Sequence, residues 1–460
     1  MAACVGVAAP AAAQTERPMG GPFSGLFSGS PRDQPHTLDV RASGFAAWDD
    51  NPLAQSPGAG AGTDPFSVDP RFIKPGVASG FQGSVAYAFR RTGTRSQFQF
   101  TADSGLQQFE NGLGNEPFRF YDYSVATGFT TKVTNKTSVS VGATSGYAPY
   151  FRYAPFLKNT TNEDSPVASD YGFAVDSAFV RSSSAAASIE NRFTRKSGVS
   201  AGVGWEQRVM PGNDSANTDM RSAHLTFSHN LTRKFSFHLG YGIQESRYAF
   251  APDLRPAFTH NLDIGIGYGD GLTLTFARHY TLSLSIGASL AKNGDPAVVA
   301  STGKQTAFVV NGGATLSRPI GRNWGASLGY SRGTSYVVGF LQPVTMDSAN
   351  ASIGGALATR LNISAGGGAS RGQQLFTESG GNLVTYTAST KVTYGLFSFL
   401  GIYAQASYYR FSIPPDYLTS FQFVPQLNRR SVSVGLSTWV PLIKQRRARQ
   451  DPAVLATGQP

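Results

Sequence analysis

Between residues 37 and 442, apolar side chains recur mostly at every second position. Phe235, Phe237, Leu239, Tyr241 and Ile243 alternate with Ser236, His238, Gly240 and Gly242. Leu262, Ile264, Ile266 and Tyr268 alternate with Asp263, Gly265 and Gly267, and Leu282, Leu284, Ile286, Ala288 and Leu290 keep the same step. Successive strand residues point to opposite faces, so each run has one apolar face and one of Gly, Ser, Thr or an occasional charge. Runs of about ten such residues, repeated many times, are the pattern of strands that cross a membrane.

Tight-turn signals break the pattern near 92, 134, 196, 233, 279, 320, 360 and 397. They recur about every 40 residues, which fits two strands, one tight turn and one longer connection. Longer polar or Pro/Gly-bearing segments lie between them, notably 49–77, 151–171 and 413–428. Eight tight turns, a strand near 37–48 and a last strand near 430–442 predict eighteen strands, with sixteen as the neighbouring count. An even number places both termini on one side, as bacterial single-chain barrels require. The expected fold is an all-β, transmembrane, antiparallel up-and-down β-barrel over 37–442. Segment 49–77 reads as the longest connection and is the candidate plug or constriction. A soluble sandwich array or propeller fits less well, because no blade motif recurs and the second face is too small and polar for a dry core.

Composition agrees. The chain has 460 residues, 40% of them hydrophobic, 12% aromatic and only 15% charged, with 52 Gly and one Cys. No stretch approaches the roughly 18 uninterrupted apolar residues of a membrane-spanning helix. So many aromatics also argue against a disordered chain. Residues 1–13, ending Ala11-Ala12-Ala13, read as a secretory signal without its basic start, and 14–36 as a Gly/Pro/Ser-rich linker. Residues 443–460 read as a basic, polar tail. Cys4 falls inside the signal, so no disulfide, thiolate metal site or Cys nucleophile is expected after its removal.

The net charge of +11 invites a nucleic-acid reading, but its distribution argues against one. Fourteen Lys/Arg and no Asp/Glu fall in the tight-turn windows, while Asp49, Asp50, Asp64, Glu163, Asp164 and Asp214 fall in the long connections. Scattered turns make no groove-facing surface. They keep one rim solvated, with Arg side chains reaching lipid phosphates.

Chemical motifs are sparse. The glycines of Gly265-Ile266-Gly267-Tyr268-Gly269-Asp270-Gly271 follow the strand period and lack the spacing of a dinucleotide loop, though Asp270-Gly271 suggests a bend. None of the six His is followed two positions later by Ser, the arrangement of barrel lipases, and the His are too scattered for a metal cluster. No enzyme, cofactor or metal is expected. Parity points Asp39, Arg41, Asp122, Glu190, Arg192, Glu206, Arg208 and Asp263 inward. They are candidates for setting ion selectivity or, equally, for Glu–Arg bridges bracing the wall. Tyr403 and Tyr409 share the inward parity and offer stacking faces for sugars, although Tyr409, near its strand's end, fits an interfacial girdle better.

The alternating segment Ser431–Leu442, with Gly435 and Trp439, resembles the C-terminal signal read by the barrel-assembly machinery, but 18 residues follow it. Ala47-Trp48-Asp49-Asp50-Asn51 closes the first strand, and hairpin turns carry Arg and Thr. Together they resemble the β-barrel porin families found with bacterial exopolysaccharide (exosortase-like) systems. That resemblance implies an outer-membrane barrel that passes or helps secrete polysaccharide. The expectation is therefore a channel in the outer membrane of a Gram-negative-type bacterium. Its expected partners are lipid, the assembly machinery, and polysaccharide or small polar solutes. The alternative is a structural or adhesive barrel with a plugged lumen and working outer loops.

Overall fold

A computed structural model describes residues 36–50, 76–90, 95–109, 118–149, 179–209, 217–232, 235–248, 256–274, 277–292, 303, 305–321, 323–335, 343–376, 381–412 and 426–442. The expected signal, linker and tail, and most of segment 49–77, lie outside them.

Eighteen strands form one antiparallel sheet. They are β1 (His36–Asp49), β2 (Gly76–Arg90), β3 (Ser96–Phe109), β4 (Phe118–Lys132), β5 (Thr137–Pro149) and β6 (Phe179–Asn191). Next come β7 (Ser197–Val209), β8 (Thr218–Asn230), β9 (Phe235–Tyr248), β10 (Ala257–Leu274), β11 (Ala277–Lys292) and β12 (Thr306–Ile320). The last six are β13 (Trp324–Ser335), β14 (Val344–Ala358), β15 (Leu361–Gln374), β16 (Leu383–Phe397), β17 (Leu400–Ser412) and β18 (Gln426–Pro441). Each strand pairs with its sequence neighbours, and β1 pairs with both β2 and β18. The sheet is closed, so no edge is left with unpaired backbone groups, which a membrane interior would penalise.

All eight tight turns join the predicted strands at one end, and both strand termini of the barrel, His36 and Pro441, lie at that end. Three turns share one device. The Thr134, Thr194 and Thr232 hydroxyls accept from the amides of Thr137, Ser197 and Phe235 at 3.0, 2.8 and 3.0 Å. A hydroxyl bonded three residues on fixes a short reversal, which gives the recurring Thr in these hairpins a mechanical role. In the turn after β12, Gly321 adopts a left-handed φ of 62°, which side chains disfavour.

The strands are tilted. Following cross-strand partners from Asp39, at the short-turn end of β1, the row runs through Ala86, Thr101, Ala126, Thr144, Ser184, Glu206, Met220 and Ser246 to Ala257. Ala257 is the first residue of β10, at the opposite, long-connection end. Such stagger is the geometric condition for closing a barrel.

Large apolar side chains point outward and stay exposed on nearly every strand, among them Phe81, Val125, Ile189, Leu225, Ile286 and Leu328. Aromatics bracket this band. Tyr121, Tyr123 and Tyr147 stack toward the long-connection end, while Phe193–Phe227 and Phe397–Phe399 stack toward the tight turns, at 6.3 and 5.6 Å between centroids. An apolar belt between two aromatic girdles is the lipid-facing surface of a membrane barrel.

Two expectations need correction. The reversal after β10 falls at 275–276, before Arg278-His279-Tyr280, because Leu272 and Leu274 still pair with Tyr280 and Ala277. The bend expected at Asp270-Gly271 falls where the ladder shifts register, between Tyr268 and Leu272. The longest connection is 150–178, between β5 and β6, rather than the one after β1.

Candidate functional site: the inner wall

The inward parity carries small polar side chains from one end of the barrel to the other. Hydroxyls bond across strands at Ser407–Ser431, Ser327–Ser352 and Thr144–Ser184, at 2.5, 2.6 and 2.6 Å. Asn311 donates to Ser289, which donates to Asn261, so one polar chain spans β10, β11 and β12. These groups bond to each other and retain lone pairs and protons for water, the property of a wet surface.

The inward glycines have a specific use. At six cross-strand pairs, a larger inward side chain lies down over the glycine directly across from it. Tyr403 covers Gly435, Phe45 covers Gly80, Asp122 covers Gly105, His224 covers Gly202, His238 covers Gly265 and Asn350 covers Gly329. A Cβ at Gly435 would stand 2.7 Å from the Tyr403 ring, closer than real Cβ contacts. The glycines therefore let long side chains lie along the wall instead of across the lumen.

The charged residues are distributed as follows. Arg192 Nε meets Glu190 at 2.8 Å near the tight turns, with both side chains well exposed. Arg208 Nε meets Glu206 at 2.6 Å near the long connections, with only 4% and 10% of the two side chains exposed. The partners of each pair are two residues apart in the chain, so each bridge runs along its own strand and neutralises its two charges there. Asp263 accepts from His238 Nε2 at 2.8 Å across β9–β10. Asp122 shares the wall with Asp103, which takes a 3.3 Å hydrogen bond from Ser124. Asp39 is buried, and Arg41 sits directly across from Trp439. Ser222 and Ser236 precede His224 and His238 on the same face, in the reverse of the lipase order. Among the described residues, no group of three or more His, Cys, Asp or Glu is placed to hold a metal ion.

Tyr403 lies on the wall with Lys391 Nζ 4.8 Å from its ring centroid, a cation–π contact. Tyr409 is not in the girdle. It is buried on the inner side, edge-on to Phe411 at 5.8 Å. Closeness to a strand end suggests the interface, but parity decides which side of the wall a residue faces.

Sequence reasoning passed over two features. The first is an ion pair at the seam: Arg429 donates through Nε to Asp49 Oδ2 at 2.8 Å and again through Nη2, with 4% and 0% of the side chains exposed. Beside it, Asp50 Oδ1 accepts from the Arg430 amide at 2.6 Å, and the Asp50 amide donates to the Arg430 carbonyl at 3.1 Å. Parity against Val432 and Val434 would have placed Arg429 inside. The second is a collar: among the described residues, the buried apolar ones, including Val180, Met220, Ala291, Val344 and Leu383, lie at or near the long-connection ends of the strands. The wall is drier at that mouth than toward the tight turns.

No protein-family model matches the chain, and no curated protein matches it. Among solved structures, a variant of the ferric enterobactin receptor PfeA of Pseudomonas aeruginosa aligns with a TM-score of 0.44 and 10% identity, over 89% of this chain and 81% of that one. OpdQ of the same organism gives 0.43 and 12%, over 89% and 100%. OccK8 (OprE) of that organism gives 0.43 and 11%, over 89% and 98%. No residue role is carried over from them. The chain's own geometry defines its class: closed on itself, apolar outside, polar inside, it is a membrane-spanning β-barrel of the bacterial outer-membrane type. In that setting the tight turns face the periplasm and the long connections face outward.

Proposed function

We propose that this barrel is a non-enzymatic outer-membrane channel that gives polar solutes an aqueous path. The observation that carries the reading is the laid-down inner wall, whose long side chains rest on cross-strand glycines between rows of hydroxyls. An eighteen-stranded wall is too wide for its own side chains to fill, and this wall moves those side chains aside. Sparse, mostly paired charges suit neutral or weakly charged solutes. Swelling of proteoliposomes in sugars of graded size tests the reading. Uptake that falls with solute size supports it, and swelling equal to empty vesicles rejects it.

A narrower reading has the channel export a polysaccharide. Its support is the pair of half-buried rings on the β17 lumen wall, Tyr403 and Phe411, which suit contact with sugar C–H groups. The likeness of Ala47-Trp48-Asp49-Asp50-Asn51 to barrels of exopolysaccharide systems favours it too. Deletion of the gene should abolish surface polysaccharide while leaving its synthesis intact. Unchanged surface polysaccharide rejects the export reading and leaves the general channel standing.

A further inference from the structure

The lipid-facing wall is uneven at its outward end. On β15, β17 and β18, Arg371, Arg410 and Arg430 all point outward and are exposed. Arg410 stands across from Tyr386, and Arg430 across from Tyr408. Arg430 and Arg410 are therefore diagonal neighbours on adjacent strands, about 7–8 Å apart by the general spacing of such pairs. Because the strands are tilted, the three arginines climb diagonally from strand to strand and stay at one level of the wall. Asp347, directly across from Arg371, is engaged by Arg332 at 3.3 Å and by the Tyr330 hydroxyl at 2.7 Å, and the Asp50 carboxylate is engaged by the Arg430 amide. On the opposite wall, the outward arginines Arg221 and Arg247 are paired on their own strands, with Asp219 at 3.4 Å and Glu245 at 2.7 Å.

A second observation concerns the wall beneath. β15 carries none of the exposed large apolar side chains that mark the other strands. Its outward residues Ala365, Gly367 and Ala369 lie across from Thr390, Ala388 and Tyr386 of β16. Thr390 and Ala388 in turn face Ala406 and Tyr408 of β17. Bulky Leu328 and Ile353 stand on one side, and Val432 and Val434 on the other. The result is a shallow smooth strip, an acyl chain's width or more, running down from the arginines.

We propose that this face of β15–β18 binds a phosphorylated glycolipid of the outer leaflet. The headgroup phosphates are held by Arg371, Arg410 and Arg430, and the acyl chains lie along the small-residue strip. Guanidinium forks match phosphate oxygens with two parallel hydrogen bonds, where an ammonium offers a point charge alone. The strip contributes area for the chains, and Tyr386 and Tyr408 mark the level where headgroup meets hydrocarbon.

The test uses the full-length protein, purified in detergent and titrated with bisphosphorylated lipid A, monitored by native mass spectrometry. Dephosphorylated lipid A is the matched probe. The wild-type protein should retain the bisphosphorylated form and lose the dephosphorylated one. Combined Arg371→Gln, Arg410→Gln and Arg430→Gln should weaken binding about a hundredfold, at roughly a tenfold or less per arginine. Combined Arg221→Gln and Arg247→Gln, on the opposite wall, should leave it unchanged. Equal retention of the two lipids by the wild-type protein overturns the proposal, and that comparison needs no variant to fold. So does a lipid-free oligomer cross-linked through β15–β17, which would assign the face to a second copy of the chain.

Discussion

Arg429 of the last strand grips Asp49 of the first through two N–H groups, 380 positions apart in the chain and both shut away from solvent. The pair spans the seam at which the sheet closes on itself. Asp50 and Arg430 beside it exchange backbone and side-chain bonds, so two consecutive acids meet two consecutive arginines. Trp48 points outward from the same stretch into the lipid-facing surface. The Trp-Asp-Asp run thus has a mechanical role: anchor outside, ion pair inside, cap at the end.

Breaking one half of that pair should be costly, because it strands a buried charge. Asp49→Ala is expected to lower stability by about 3–5 kcal/mol. The readout is the temperature at which the folded, fast-migrating band on an unheated gel converts to the slow one. An unchanged midpoint would show that the pair contributes nothing to the seam.

The glycine seats make a prediction of a different kind. At Gly265 the nearest atoms to an added Cβ all belong to the His238 ring. Gly265→Ala should cost about 1–3 kcal/mol through overpacking, and adding His238→Ala should restore most of the loss. Additive losses in the double variant would mean that the imidazole does not rest on Gly265.

Charge selectivity should depend on the neighbouring carboxylates Asp103 and Asp122 rather than on every charge the wall carries. Asp103→Asn with Asp122→Asn is expected to shift the reversal potential toward anion preference, more strongly at low salt. Removing Glu190 and Arg192 together should leave that potential where it was, since the two already cancel. Equal shifts from the two double variants would contradict this division.

The lipid-facing assignment is open to a direct check at mid-belt. Leu225→Arg should destabilise the folded barrel by about 2–4 kcal/mol, as a charge placed in hydrocarbon does. Thr226→Arg, one residue on and facing the lumen, should cost much less. Equal costs would argue against a membrane around this surface.

Much of the architecture was legible in the chain because a membrane wall imposes a period of two on every strand. Eighteen strands, eight tight turns and the inward parity of residues such as Glu206 and Asp263 followed from that constraint alone. What the period cannot show is which residues meet across strands. The partner of Asp49 is set by closure of the ring, and the resting place of Tyr403 by the register of β17 against β18. Tyr409 was misread because distance from the strand end was weighed above parity. The turn after β10 was misplaced because a bulge keeps the ladder running past two glycines.

The central claim is an aqueous path through the barrel, and single-channel recording in planar bilayers tests it most directly. Protein shown to be folded by its heat-modifiable mobility should insert in discrete steps of stable, ohmic conductance that scales with the conductivity of the bathing salt. Folded protein that inserts and gives no conductance above the bare membrane would contradict the channel and point instead to a plugged barrel that works through its outer loops.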